Sequence, residues 1–337
     1  MSFVGRGQEL DFFTQHYAAA DNRVLVVYGQ RGVGKTALLN AFAEEKTCAY
    51  YMARSCSDRE QRAQWGRELQ LQLSTPAQEV SYGTLLLAML PQGSAGKKVL
   101  IIDEFHHLIK SDETFFTQLL TFVHTCGEEV LVILSTAATG WVENHMVRRI
   151  GSGAVQLAGI LKIRELDFSS MRILFPTFDE ADSVMLYAIL GGVPGLWMRL
   201  DAERSAVDNV ISRLLDKNSA LFHEMSSYLA EELREPAVYN TILCTMAAGN
   251  NKLNDMYHCT GFSRAKISVY LKNLMEIDLV EKTGAGIYRI AKSHIRFYFY
   301  FIFPHLSFLE SIAPAQFYEL FVADAFQEFL RETYREI

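Results

Sequence analysis

A chain of 337 residues, half of them apolar and 21% charged, can bury two or three real cores, which excludes a disordered or low-complexity protein. A formal net charge of -7 excludes bulk attraction to nucleic acid, so any such contact has to come from a local patch. Five scattered cysteines without a C-x-x-C pair, and a first ten residues without a signal-peptide profile, fit a reduced cytoplasmic setting.

The first strong element is VLVVYGQRGVGKTALLNAF, Val24 to Phe42. Val24–Val27 is a run of β-formers and reads as a buried strand. Gly29, Gln30, Arg31, Gly32, Val33, Gly34, Lys35 and Thr36 then fit G-x-x-x-x-G-K-[ST], the Walker A pattern. Glycines let the backbone curl so that its N–H groups point inward at phosphate oxygens, and the helix that follows adds the positive end of its dipole. Lys35 is expected to reach the β- and γ-phosphates, Thr36 to ligate Mg²⁺, and Ala37 to line the same first turn.

A second strand is expected over Thr47–Ala53, followed by a polar helical stretch with a loop at Ser74–Gly83. KKVLIIDEFHHL, Lys97 to Leu108, is a buried strand ending in Asp103 and Glu104. An Asp at this place contacts the Mg²⁺ shell, and a Glu beside it can deprotonate the attacking water. His106 and His107 read as helix-start or surface residues, not as metal ligands. A helix is expected over Asp112–Cys126, a fourth strand within Glu129–Gly140 and a fifth within Ala154–Leu166. One strand between the two Walker elements suits a parallel sheet with a further strand inserted between them and the ligand at the carboxyl ends. The fourth strand ends in Ser135-Thr136, and a polar side chain there reads equally as a γ-phosphate sensor, Ser135 in the first place, and as a cap for the next helix. The base is read as adenine because no [NT]-K-x-D motif is present.

From about Asp167 the pattern is helical, broken by Gly191-Gly192-Val193-Pro194-Gly195, which halts a helix and sets a turn. Glu235 to Ile290 reads as three helices and a glycine-turned hairpin, a winged helix with Ser263 as N-cap and Ile267, Leu271 and Leu274 facing inward. Arg264, Lys266 and Lys272 fall on the outer face of its second helix, with Lys282 and Arg289 in the wing, diluted by Asp255, Glu276, Asp278 and Glu281. The apolar run Ile295–Leu309 is short for a bilayer and contains Arg296 and Pro304, so a core or interface helix kinked at Pro304 is the expectation, without membrane contact.

F-x-G-R-x-x-E-L at Phe3–Leu10, the Walker A loop, LIIDEF at Leu100–Phe105, GGVPG at Gly191–Gly195 and EPAVYNTIL with the winged helix stand in an order that resembles the archaeal-type prokaryotic ATPase family, an AAA+-like, STAND-related group. The resemblance covers nearly the whole chain. It implies an α/β P-loop core at 1–166, a helical lid at 167–234, a winged helix at 235–292 and an aromatic-rich helical region at 293–337. It also implies that Arg6 helps hold the core near the adenine and that Pro194 touches the nucleotide from the lid. Many relatives carry a longer, nuclease-like C-terminal region. No D…E-x-K carboxylate set is visible here, so nuclease activity is not expected and 293–337 reads as a remnant of such a domain. His294 stands near a place where relatives often have Asp, and reads either as a phosphate contact or as a core residue. Arg148, Arg149 and Arg164 are arginine-finger candidates.

The function expected from these readings is a slow ATPase switch that uses ATP and Mg²⁺ and passes its nucleotide state to the winged helix, to a protein partner or to a second copy. The alternative is an ATP-regulated duplex-DNA-binding protein, a transcription regulator or one similar to the origin-recognition type of replication initiator. A small-molecule kinase suits the motifs less well.

Overall fold

The computed structural model describes residues 4–70, 80–91, 96–232, 236–284 and 286–334. Most of the loop expected over Ser74–Gly83 lies outside these residues, as do Phe3 and Glu235. The chain divides into two compact units, Met1–Arg164 and Glu165–Ile337.

The first unit is built on a parallel five-stranded sheet: β1 (Arg23–Tyr28), β2 (Cys48–Met52), β3 (Lys98–Asp103), β4 (Val130–Thr136) and β5 (Gly159–Lys162), in the order β2-β3-β4-β1-β5. This is an α/β fold with β4 inserted between the two Walker strands. The central strands are near-continuous apolar runs because helices cover both faces, whereas the edge strands β2 and β5 are only partly buried.

Side chains alternate between the faces. On one face Leu25, Val27, Ile101, Leu131 and Ile133 pack with Leu38, Leu39 and Phe42 of the helix Lys35–Ala43 and with Phe13 of the helix Gly7–Ala18. On the other, Val26, Leu100, Ile102, Val132 and Leu134 pack with Trp65, Tyr82, Leu85 and Leu119. Each such buried apolar side chain contributes on the order of 2 kcal/mol relative to exposure. Ser57 and Ser81 cap the helices Asp58–Glu68 and Tyr82–Met89 by accepting from the amides of Glu60 and Thr84.

The second unit is helical apart from one hairpin, and the segments distinguished in the sequence share one apolar core that runs from Leu166 to Phe329. Helices Pro236–Ala247, Leu253–Thr260 and Arg264–Glu276 precede the antiparallel pair β6 (Val280–Lys282) and β7 (Tyr288–Ile290). Lys252 bridges to Ile287, which ties the hairpin back to the helices. Ser263 accepts from the Lys266 amide, and Ile267, Leu271 and Leu274 are buried. The aromatic run passes through a π turn at Tyr298–Ile302 into a tight turn at Phe303–His305 around Pro304, which has no N–H to continue a helix. No helix among the described residues is long and apolar enough to cross a membrane.

The Gly191–Gly195 turn is held from several sides. Gly191 sits at φ 64, the Trp197 indole donates to its carbonyl at 2.7 Å, and the Gly192 amide donates to Glu165 Oε2 at 2.8 Å. A Cβ on Gly192 would lie 2.0 Å from the Leu166 carbonyl oxygen, whose own amide bonds the Gly192 carbonyl at 2.8 Å. Gly192→Ala is therefore expected to cost about 3 kcal/mol, the upper end for overpacking, read as a lowered urea midpoint of the full chain.

Candidate functional site

The Walker loop joins β1 to the helix Lys35–Ala43, both anchored by their apolar faces, so the loop has little freedom. Gly29 is pressed against the segment after β5: an added Cβ would stand 2.4 Å from the Ile163 carbonyl oxygen. Gly34 caps the helix at φ 100, a conformation closed to other residues at low cost. Lys35 is buried within the curl and donates to the Gly29 and Gln30 carbonyls at 2.7 and 3.2 Å. Arg31, Gly32, Thr36 and Ala37 are exposed around it, while Val33 points into the core.

Arg6 is buried and grips the loop from behind. One guanidinium nitrogen donates to the carbonyls of Val33 and Arg164, each at 2.8 Å, and the other pairs with Glu9. Its observed partners are thus the loop backbone and the exit of β5. Pro194 begins the helix Pro194–Trp197 of the second unit, where a fixed φ suits the first helical position.

Parallel register brings the tips of β3 and β4 together, with Asp103 opposite Ser135 and Thr136 opposite Tyr28 of β1. By alternation Asp103 and Ser135 belong to the face that carries the Walker helix. Asp103 is buried, its Oδ1 accepts the Glu104 amide at 3.0 Å, and its Oδ2 accepts the Tyr50 hydroxyl at 2.8 Å. Burial, that hydrogen bond and the carboxylates of Asp103 and Glu104 push the Tyr50 phenol up, so it remains a donor. Among the described residues the buried Ser135 hydroxyl has no hydrogen-bond partner. It does not cap a helix; the helix after β4, Thr139–Trp141, begins at Ala138 without a side-chain cap, and Thr136 accepts the Ala138 amide at 3.0 Å as a local turn contact.

Glu104 follows directly in the left-handed region at φ 51, which costs a non-glycine residue on the order of 1 kcal/mol or more. Its Oε2 accepts from Thr136 Oγ1 at 2.9 Å and from the Ala137 amide at 3.1 Å, and lies 3.3 Å from His106 Nδ1. Thr136 has one hydroxyl hydrogen and gives it to Glu104, so the 2.8 Å contact between Thr136 Oγ1 and His106 Nδ1 requires the hydrogen on that ring nitrogen. Burial alone would raise the Glu104 carboxyl, but the hydrogen bonds from His106, Ala137 and Thr136 outweigh it and hold it at about 2. His106 starts the helix His106–Ser111 as expected but is buried, contrary to a surface position. Burial, then the neighbouring His106, lowers His107 to about 4.

Tyr50 was not singled out in the sequence; His106 was read only as a helix-start or surface residue, and Thr136 only together with Ser135 at the tip of the fourth strand. Among the arginine-finger candidates, Arg149 pairs with Glu113, while Arg148 and Arg164 are exposed. In the hairpin Arg289 pairs with Glu281, and Lys272 lies 4.0 Å from Glu276. His294 is buried in the second unit, and among the described residues its Nδ1 has no hydrogen-bond partner.

The donor set fits a magnesium nucleotide. A glycine curl and a lysine suit phosphate, Thr36 and the Asp103 carboxylate are hard oxygen ligands suited to Mg²⁺, and the orphaned Ser135 hydroxyl needs a polar partner on that face. Such a group would supply an electrophilic γ-phosphorus to a water that a carboxylate could deprotonate.

Residues 19–139 match the family model described as an AAA domain. Over 328 residues the chain is 26% identical to the uncharacterized protein MJECL04 of Methanocaldococcus jannaschii, an alignment that covers 91% of this chain and 70% of that one. In fold it is similar to the Walker-type ATPase PABY2304 of Pyrococcus abyssi, with a TM-score of 0.64 at 14% identity over 88% of this chain and 95% of the other. It is also similar to the Aeropyrum pernix ORC2 protein, solved as ADPNP-ADP complexes, with a TM-score of 0.55 at 14% identity over 93% and 95%. Residues 19–139 thus match an AAA domain, set in a fold similar to that of Walker-type P-loop ATPases, which supports ATP binding and ATPase activity in general.

Proposed function

We propose that the chain is a slow ATP-hydrolysing switch whose nucleotide state is passed on by its second unit. The observation that carries this reading is the restraint on Glu104. A carboxylate that accepts from Thr136 and the Ala137 amide, has the His106 ring 3.3 Å away and is held at about 2 is a poor proton acceptor, so hydrolysis waits until those contacts loosen. In the working step water attacks the γ-phosphorus, its proton passes to Glu104, the bond to the β–γ bridging oxygen breaks, and ADP and phosphate leave. Lys35 and the amides of Gly29–Gly34 hold the phosphates, Thr36 and Asp103 hold Mg²⁺, and Ser135 contacts the γ-phosphate. Arg6 acts through the loop backbone, and Pro194 carries the nucleotide contact of the helical lid. The three helices and hairpin at 235–292 act as a winged-helix output, and the setting is cytoplasmic.

A second reading, duplex-DNA binding, is favoured by one feature. Arg264 lies over the Tyr257 ring at 4.1 Å and Lys266 over Phe262 at 4.4 Å, which holds two cations on the helix that would face phosphates.

Nucleotide binding, turnover and amide hydrogen exchange across residues 236–290, measured with ATP and with ADP, test both. Wild type is expected to show different exchange in the two states. Lys35→Ala is expected to lose about a hundredfold in affinity, the loss of a charge-assisted contact of about 3 kcal/mol, and to show no difference. Identical exchange with ATP and ADP in a hydrolysing protein overturns the switch. Salt-dependent duplex binding that follows nucleotide state and is lost in an Arg264→Ala/Lys266→Ala variant selects the second reading.

A further inference from the structure

Tyr50 stands out because its chemistry and its packing disagree. It lies on the edge strand β2, the residue is 48% exposed, and Met52 beside it on the same face is 47% exposed. A tyrosine so placed adds little to the core. Yet its hydroxyl makes its one hydrogen bond, among the described residues, to the buried carboxylate at the tip of β3. The register explains the reach. Met52 is paired with Asp103 and Tyr50 with Ile101, so Tyr50 is the diagonal neighbour of Asp103 on one face, a separation a long aromatic side chain can span.

The two bonds to Asp103 take one lone pair on each oxygen: the Glu104 amide on Oδ1 and the Tyr50 hydroxyl on Oδ2. Rotation of the carboxylate about its bond to Cβ would break both. The remaining lone pair on each oxygen therefore has a set direction. A carboxylate that ligates a metal directly, or through its bound water, loses affinity when this kind of support is removed, typically by ten- to a hundredfold.

We propose that Tyr50 is a positioning residue for Mg²⁺, holding the Asp103 carboxylate in the orientation that the magnesium nucleotide needs. The inference rests on the ATP reading and adds to it a residue outside both Walker motifs. Tyr50 acts on the metal arm of recognition and leaves the phosphate arm, the loop and Lys35, untouched. A merely structural hydroxyl would change the melting temperature and leave the metal dependence alone.

The test is equilibrium binding of a fluorescent ATP analogue to the full chain, titrated with MgCl₂ and repeated in EDTA, for wild type and Tyr50→Phe. The expected result is an Mg²⁺ midpoint raised about tenfold in Tyr50→Phe, with affinity in EDTA unchanged. A second pair, Asp103→Asn with and without Tyr50→Phe, checks the route: the tyrosine change is expected to shift nothing further there. An unchanged midpoint in Tyr50→Phe overturns the proposal, and so does a shift of equal size in the Asp103→Asn background. Nucleotide binding by wild type that ignores Mg²⁺ altogether overturns the magnesium-nucleotide reading itself, which separates the two failures.

Discussion

Glu104→Gln is expected to lower ATP turnover about a thousandfold, the middle of the range for a lost general base, while ATP affinity stays within a few fold of wild type. The substitution keeps shape and backbone conformation, and the amide oxygen can still accept from Thr136 and the Ala137 amide, so the strand tips stay as they are. What it removes is the ability to take a proton from water. Single-turnover hydrolysis beside equilibrium binding of ATP separates the two quantities. Equal turnover in variant and wild type would remove Glu104 from the chemistry and with it the proposal that its contacts restrain hydrolysis. The carboxyl also has a linkage consequence. Its folded pKa of about 2 lies below the unfolded value near 4.5, so its contribution to stability is present above about pH 4.5 and is lost as pH falls towards 2.

The second large effect belongs to His294. It is buried, its Nδ1 has no hydrogen-bond partner among the described residues, and burial, then Lys292 and Arg199, lowers its pKa to about 3. The folded value lies below the unfolded 6.5, so below 6.5 the unfolded chain binds the extra proton and folding is penalised until the folded pKa is reached. At about pH 5 the penalty is on the order of 2 kcal/mol, from 1.36 kcal/mol per unit. Wild type is therefore expected to lose that much between about pH 7 and pH 5 from this residue. His294→Phe removes both the titration and the orphaned acceptor and should flatten the difference. Urea unfolding of both proteins at the two pH values measures it, since other titrating groups cancel in the comparison. Parallel pH dependence in the two would mean that His294 is protonated as easily in the fold as outside it. A group neutral at working pH also gives no charge for a phosphate to meet, which favours the core reading of His294 over a phosphate contact.

Much of the site could be read directly from the chain. Gly29–Thr36 announces itself because a backbone that wraps phosphate needs glycine at particular dihedrals and a lysine at a set offset, and these needs fall on contiguous residues. The sheet was legible for a similar reason: strands buried on both faces must be apolar runs, and a further strand was expected between the Walker strands, a place that β4 takes. Asp103 and Glu104 were legible as acids at a strand tip. Their partners were not. Tyr50 stands 53 positions before Asp103, and Thr136 is 32 positions after Glu104.

By itself the sequence determined the P-loop chemistry, the α/β class and the element order of the helices and hairpin in the second unit, since each rests on local propensity and periodicity. Only the tertiary structure decided that Arg6 grips the loop backbone at Val33 and the strand exit at Arg164, that Ser135 is left without a partner while Thr136 holds Glu104, and that His294 is enclosed. The strand-tip outcomes depend on which strand lies beside which and in what register. A one-residue slip of β4 would turn Ser135 and Thr136 to the opposite faces, whereas Arg6 and His294 depend on how their helices pack.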